Sequence, residues 1–127
     1  MTTLPSIRPG RDDDAAGFIG LIGECWADYP GCILDVDGEA PELRRLASHV
    51  AERDGALWTA EASGRVVGMV AATPMREDAA WEIARMYVAR PFRGTGLAAR
   101  LLSTAEGHIR AAGARRVVLW TDTRFEA

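Results

Sequence analysis

The sequence contains no lysine, so all 15 of its basic residues are arginine. It also has no apolar run that approaches the ~18 residues needed to cross a bilayer. Its first residues, MTTLPSIRPGRDDD, include no apolar stretch of the kind found in a secretory signal peptide. From these absences we expect a cytoplasmic protein with no membrane partner.

Cysteine and histidine are scarce, with two of each. Cys25 and Cys32 are not spaced as a CxxC pair, and His49 and His108 lie in separate segments of helical pattern. Zinc ligands usually occur in closely spaced clusters of these residue types. We therefore predict no metal site and interpret the cysteines as reduced thiols.

The composition, 48% hydrophobic and 26% charged in 127 residues, is typical of one globular domain, here residues 1–127. The formal net charge of −3 does not indicate a nucleic-acid partner. Charge is unevenly distributed, since residues 1–82 contain 15 of the 18 acids and residues 83–127 contain 8 of the 15 arginines. An anion-binding site in the second segment would explain this asymmetry, and compositional drift is the alternative.

Hydrophobic spacing predicts the element order β-α-α-β-β-β-α-β. Consecutive strands joined by short turns are expected to be antiparallel, and the last strand–helix–strand unit should be a parallel crossover. The pattern therefore predicts an α/β (α+β) fold with a mixed, mostly antiparallel sheet flanked by helices. We predict strands at 6–9, 56–61, 66–73, 79–88 and a buried last strand at 116–121, a loop at 32–39, and helices starting near residues 15, 41 and 97.

The stretch YVARPFRGTGLAARLL, residues 87–102, joins a strand to a helix. Gly94 and Gly96 have no side chains to block an approaching group, and the first N–H groups of a helix attract anions. Pro91 ends the strand ladder, and Arg93 adds a cation. These residues predict a phosphate or pyrophosphate site, and the alternative is a glycine-rich turn that binds nothing.

A dinucleotide site is one interpretation, because Gly94 to Ala99 match G-x-G-x-x-A and Asp122 follows the next strand. However, Ala89 to Arg93 separate the strand from the first glycine, and Asp122 lies farther along than the ~20 residues expected of the ribose-binding acid. Both departures favour a different phosphate ligand.

The segment Arg93-Gly94-Thr95-Gly96-Leu97-Ala98 resembles the Arg/Gln-x-x-Gly-x-Gly/Ala motif of the GNAT superfamily of N-acetyltransferases. The strand ending Met86-Tyr87-Val88 with Pro91 also resembles that family, as does the predicted element order. The resemblance extends from about Ser6 to the last residue. Because GNAT domains usually continue into a further helix and two strands, the chain is expected to be short at its C-terminus. The exposed edge of its last strand would allow a homodimer.

The resemblance implies that the chain binds acetyl-CoA as co-substrate and transfers acetyl to a primary amine by direct attack in a ternary complex. A backbone N–H along the pantetheine-binding strand would stabilise the oxyanion. A noncatalytic acyl-CoA-binding or regulatory module is the alternative. The implied pyrophosphate-binding residues are Arg93, Gly94, Thr95, Gly96, Leu97, Ala98 and Ala99, and the implied pantetheine-binding residues are Met86, Tyr87 and Val88.

The resemblance also implies that Glu82 is the general base. Alternatively, Glu82 is a solvated acid or the ion-pair partner of Arg85 or Arg76. A water chain could also deprotonate the amine in place of Glu82. Strand alternation predicts that Glu82, Ala84, Met86 and Val88 lie on one face.

The acceptor is expected to be a small-molecule or peptide amine that contacts Trp26, Asp28 and Tyr29. Acidic residues between positions 35 and 42 would attract a cationic amine, unless they form only a solvated loop.

Overall fold

A five-stranded sheet in the order β1-β2-β3-β4-β5 forms the centre of the computed structural model, which describes residues 4–27, 34–76 and 79–119. The strands are β1 (Ser6–Pro9), β2 (Ala56–Ala62), β3 (Arg65–Pro74), β4 (Ala80–Val88) and β5 (Arg116–Leu119). The helices are α1 (Ala15–Trp26), α2 (Val36–Glu39), α3 (Leu46–Ala51) and α4 (Leu97–Ala111), with 3₁₀ turns at Asp12–Asp14, Pro41–Arg45 and Arg90–Phe92.

The sheet is mixed, as predicted. Strands β1 to β4 pair antiparallel in chain order, and β5 pairs parallel to β4 after the crossover through α4. The turn at residues 63 and 64 joins β2 to β3 as a hairpin, with Ser63 and Gly64 both at positive φ. The α/β class, the mostly antiparallel sheet and the flanking helices are therefore confirmed.

Helices cover both faces of the sheet. Ala60 and Gly68 form a cross-strand pair on one face, where a Cβ on Gly68 would lie 3.0 Å from Leu101 of α4. Their neighbour Thr59 points to the other face and donates a hydrogen bond to Asp14, the residue before α1. The buried residues repeat at helical spacing along both helices: Phe18, Leu21, Ile22 and Cys25 in α1, and Leu97, Leu101, Ala105 and Ile109 in α4.

The segment between α1 and β2 differs from the prediction. The predicted second helix is divided into a 3₁₀ turn and α3, because Arg45 takes the non-helical dihedrals φ −145° and ψ 44°. Leu43 and Leu46, on either side of this break, are both buried. The predicted loop also contains α2, whose first turn Asp35 caps by accepting a hydrogen bond from the Gly38 N–H at 3.0 Å.

Strand β5 was predicted to be buried, but in the structure it is largely exposed. Val117 is 44% exposed and Leu119 is 55% exposed. In the described part of the chain β5 pairs with β4 alone, so its outer edge and much of its apolar surface lack cover. The rest of the predicted strand, including Trp120, lies outside the described residues. Pairing of this edge with a second copy stays a prediction.

No helix within the described ranges has the length and apolar character that a bilayer crossing requires.

Candidate functional site

The glycine loop between β4 and α4 presents an accessible backbone. Gly94 and Gly96 have φ of 78° and 89°, in the left-handed region that glycine tolerates best. Among the described residues, a Cβ placed on either residue would meet no heavy atom within 4 Å, so this part of the structure leaves the space beside the loop open. Gly96 caps α4, and the N–H groups of the next three residues have no acceptor within the helix. The loop can therefore offer several N–H donors to one anion.

Local hydrogen bonds fix the shape of this loop. The Phe92 N–H donates to the Ala89 carbonyl at 2.9 Å, which closes the 3₁₀ turn that contains Pro91. The Thr95 hydroxyl donates to the Phe92 carbonyl. The Arg100 N–H donates to the Gly96 carbonyl at 3.1 Å and begins the helical ladder. Because these bonds do not use the first N–H groups of α4, the loop is ordered without closing the site.

Arg93 faces the end of β4. Its Nε donates to the Val88 carbonyl at 3.1 Å, and its Nη2 lies 3.4 Å from the Cys25 sulfur. Cys25 in turn donates its thiol hydrogen to the same carbonyl at 3.6 Å. The guanidinium therefore fastens the glycine loop to both β4 and α1. Its predicted action on a bound anion stays a prediction.

The last turn of α1 meets the end of β4. The Trp26 indole N–H donates to the Tyr87 hydroxyl at 3.2 Å, and both side chains are half-buried. A residue predicted to bind the acceptor thus contacts one predicted to bind the cofactor. Asp28 and Tyr29, the other two predicted acceptor residues, lie outside the described residues.

A bulge in β4 changes which residues share a face. Ala71 pairs with Ala84 and Met69 pairs with Tyr87, so two residues of β4, at positions 85 and 86, lie opposite the single β3 residue at position 70. The predicted alternation is therefore right for Glu82 and Ala84 but wrong for Val88. Glu82, Ala84 and Tyr87 face α1, whereas Val88 pairs with Gly68 on the face that α4 covers. Nothing in the apolar pattern of β4 marks this offset.

Glu82 is half-buried on the α1 face and accepts a hydrogen bond from the Thr73 hydroxyl at 3.2 Å. Arg85, considered as its ion-pair partner, binds Glu42 instead at 2.8 Å. The position is compatible with proton transfer at the α1 face, and the role of base stays a prediction.

A second polar cluster, which the sequence analysis missed, lies at the start of the chain. Arg8 donates two hydrogen bonds to Asp14, at 2.9 and 2.8 Å, and a third to Glu61 at 2.9 Å. Asp14 is buried and also accepts from the Arg11 N–H and the Thr59 hydroxyl. Hydrogen bonds from Arg8 lower the pKa of Asp14 to about 2, against the opposing effect of burial.

This cluster borders a polar groove between α1 and the β2–β3 hairpin. Its lining includes Arg11, Asp13, Glu24 and Arg65, and it contains none of the predicted cofactor residues. The groove is therefore separate from the glycine loop.

Comparison with known proteins supports the resemblance. Residues 18–126 match the model of the Acetyltransferase (GNAT) family. The chain is similar to N-acetyltransferase 8F1 of Rattus norvegicus, with 32% identity over 81% of the chain and 46% of the relative. The chain thus spans about half the length of this curated relative.

Solved structures share the fold. An acetyltransferase of the GNAT family from Staphylococcus aureus Mu50 is similar with a TM-score of 0.85 and 16% identity, over 95% of this chain and 76% of that one. A GNAT family acetyltransferase from Brucella melitensis, in complex with acetyl-CoA, is similar with a TM-score of 0.70 and 22% identity, over 93% and 76% of the two chains. Together with the match over residues 18–126, the glycine loop and the sheet place this chain in the Acetyltransferase (GNAT) family.

Proposed function

We propose that this chain transfers an acetyl group from acetyl-CoA to a primary amine. The observation that carries the proposal is the open glycine loop at the start of α4, where Gly94 and Gly96 have positive φ and a Cβ on either would meet no described heavy atom within 4 Å. Family membership favours acetyl transfer, and the name of the rat relative favours nitrogen as the acceptor atom.

The CoA diphosphate would bind at this loop. Its negative charge suits the N–H groups of Leu97, Ala98 and Ala99 and the positive end of the α4 dipole. Arg93 and Thr95 would support the loop, because their side chains bind the carbonyls of Val88 and Phe92. The two glycines leave room for phosphate oxygens to approach the backbone.

The pantetheine arm would follow the end of β4. In the described residues β5 pairs with Ala80 to Ile83, and the next stretch of β4 runs through the bulge to Val88. We propose that the arm lies along Met86, Tyr87 and Val88. A backbone N–H in this stretch would then donate to the thioester oxygen as it gains negative charge.

The reaction would be a direct displacement. A base first removes one proton from the ammonium, and the nitrogen lone pair then forms a bond to the thioester carbon. The tetrahedral intermediate breaks its C–S bond and releases CoA thiolate, and the nitrogen then gives its second proton to the thiolate directly or through water, which leaves the amide and the CoA thiol. Glu82 is proposed as the base, since it lies on the sheet face that also carries Tyr87, the residue that Trp26 of α1 contacts.

The acceptor is proposed to enter beside Trp26 and the adjoining residues Asp28 and Tyr29. Several acids considered as attractors for a cationic amine already have partners. Asp37 binds Arg44 at 3.0 Å, Glu42 binds Arg85, and Asp35 caps α2. These acids therefore contribute less attraction than their number in the sequence indicates.

Binding of acetyl-CoA to matched variants would test the proposal. Gly96→Glu places a carboxylate in the open loop and is expected to abolish binding measured by titration calorimetry. Gly107→Glu adds the same charge to α4 at another position with open space, and it should leave binding intact. NAD and desulfo-CoA separate a dinucleotide site from a CoA site, since only the CoA analogue should compete with acetyl-CoA.

Release of CoA thiol against a panel of amines then tests catalysis. If Gly96→Glu binds acetyl-CoA as tightly as Gly107→Glu does, the glycine loop is not part of the CoA-binding site. Binding without thiol release for any amine would support the alternative, a noncatalytic acyl-CoA-binding module.

A further inference from the structure

Arg85 occupies an unusual position in β4. It lies within the bulge, where two β4 residues lie opposite one of β3, and its φ is 54°. A left-handed conformation is unfavourable for a residue with a long side chain, and arginine offers no compensation of its own. Residues held in such conformations persist where surrounding contacts enforce them, and they occur often at functional sites.

The bulge determines which side chains of β4 lie on the face of the sheet that packs against α1. Glu82 and Tyr87 are an odd number of residues apart, so a regular strand would direct them to opposite faces. The extra residue at the bulge restores them to one face. If β4 relaxed to a regular strand, either Glu82 or Tyr87 would move to the α4 face.

An ion pair holds Arg85 in place. Its Nη2 lies 2.8 Å from Oε1 of Glu42, and the side chains are only 28% and 25% exposed. Glu42 itself is in the 3₁₀ turn Pro41–Arg45, which the fully buried Leu43 anchors in the core. The pair therefore links the bulge to a fixed point of the neighbouring segment.

We propose that Glu42 and Arg85 form a positioning pair that maintains the β4 bulge and so keeps Glu82 and Tyr87 on the same face for catalysis. This inference rests on the acetyl transfer proposed above. Neither side chain is assigned a part in the chemistry. Their effect passes through the backbone of β4 to the residues that contact the substrates.

Four variants separate the ion pair from the backbone conformation. Arg85→Ala removes the ion pair and leaves a residue for which positive φ is unfavourable. Arg85→Gly removes the same ion pair but introduces a residue that adopts positive φ readily. Arg85→Lys keeps a cation that reaches Glu42, and Glu42→Gln removes the charge from the other side. The control is Arg44→Ala, which breaks the exposed ion pair between Arg44, in the same 3₁₀ turn as Glu42, and Asp37 of α2.

We expect Arg85→Ala and Glu42→Gln to lower kcat by about tenfold or more, since small displacements of reacting groups are costly. The double variant should be no slower than Arg85→Ala alone, because both changes break one interaction. Arg85→Gly should lose less activity than Arg85→Ala, and Arg85→Lys should stay near the wild-type rate. Any loss of acetyl-CoA affinity should be smaller than the loss of kcat, because the glycine loop is unaltered and only the proposed pantetheine contacts at Met86 to Val88 move with the bulge.

Two results would overturn the inference. One is an unchanged kcat in Arg85→Ala despite a loss of stability, which would make the pair purely structural. The other is an Arg44→Ala effect as large as that of Glu42→Gln. If the wild-type chain transfers no acetyl group, the proposed function fails separately. Amide hydrogen exchange of β4 then tests whether the Glu42–Arg85 pair maintains the bulge. Faster exchange at residues 84–87 in Glu42→Gln would support this role, and unchanged exchange would reject it.

Discussion

The Trp26 indole nitrogen lies 3.2 Å from the Tyr87 hydroxyl oxygen, across 61 positions of sequence. This hydrogen bond joins the end of α1, predicted to face the acceptor, to the strand predicted to carry the cofactor. Substitution of either residue should therefore affect the binding of both the acceptor and acetyl-CoA.

Removal of this bond should weaken both the fold and the coupling of the two substrate regions. Tyr87→Phe deletes only the hydroxyl, and we expect it to lower the free energy of unfolding by about 1 kcal/mol and to raise the acceptor KM. Urea titration and steady-state kinetics provide the measurements. Trp26→Phe should act through the same bond, so the double variant should lose less than the sum of the two single losses. Additive losses would show that the two side chains act independently.

Glu82→Gln should lower kcat on the order of 10²-fold without a change in the acetyl-CoA dissociation constant. Glutamine keeps the size of the side chain but cannot accept the proton from the ammonium. Thr73→Val is the matched control, because it removes the hydrogen bond that Glu82 accepts and leaves the carboxylate present. An unaltered rate in Glu82→Gln would assign deprotonation to water.

Asp14 should make stability dependent on pH in the acid range. Its folded-state pKa of about 2 lies below the ordinary value of 3.8, chiefly because Arg8 donates hydrogen bonds to the carboxylate. The stabilisation, about 2 kcal/mol, is present above pH 3.8 and is lost as the pH falls through the folded-state pKa.

Asp14→Asn tests this pH dependence. The difference in free energy of unfolding between wild type and Asp14→Asn should be constant near neutral pH and should shrink between about pH 4 and 2. Chemical denaturation at several pH values measures it. A difference that stays constant down to pH 2 would contradict the assignment of the low pKa to Asp14.

Arg93→Met should weaken acetyl-CoA binding by about tenfold, since a charge-assisted bond to the Val88 carbonyl is lost with the cation itself. Arg110→Met removes the same charge from the exposed last turn of α4 and serves as the control. Calorimetric titration distinguishes them. Equal affinities would mean that the loop keeps its shape without Arg93.

The sequence predicted the parts of the fold that depend on local pattern. Phe18 and Ile22 mark the buried side of α1 because apolar residues recur there at helical spacing. Gly96 was predicted at the start of α4 because glycine suits a backbone that must leave the strand and expose N–H groups. Both features are encoded within a few residues of where they act.

The features that the sequence did not predict depend on contacts between distant segments. Arg85 gives no signal of a bulge, because glycine is the residue expected at positive φ, and its partner Glu42 lies 43 positions away. The burial of Asp14 depends on Arg8 and Thr59, which only the folded sheet brings together. The exposure of Leu119 depends on what covers β5, which an apolar strand pattern does not specify.

The offset at Arg85 also affects how variants of β4 should be designed. Before the bulge, even-numbered positions such as Glu82 and Ala84 point toward α1, and after it the odd-numbered Tyr87 does so. A mutagenesis library designed on simple alternation would change residues on the wrong face of the sheet at the positions after the bulge. Deletion of one codon within the bulge would leave a regular strand in which Glu82 and Tyr87, now an even number of residues apart, still share a face.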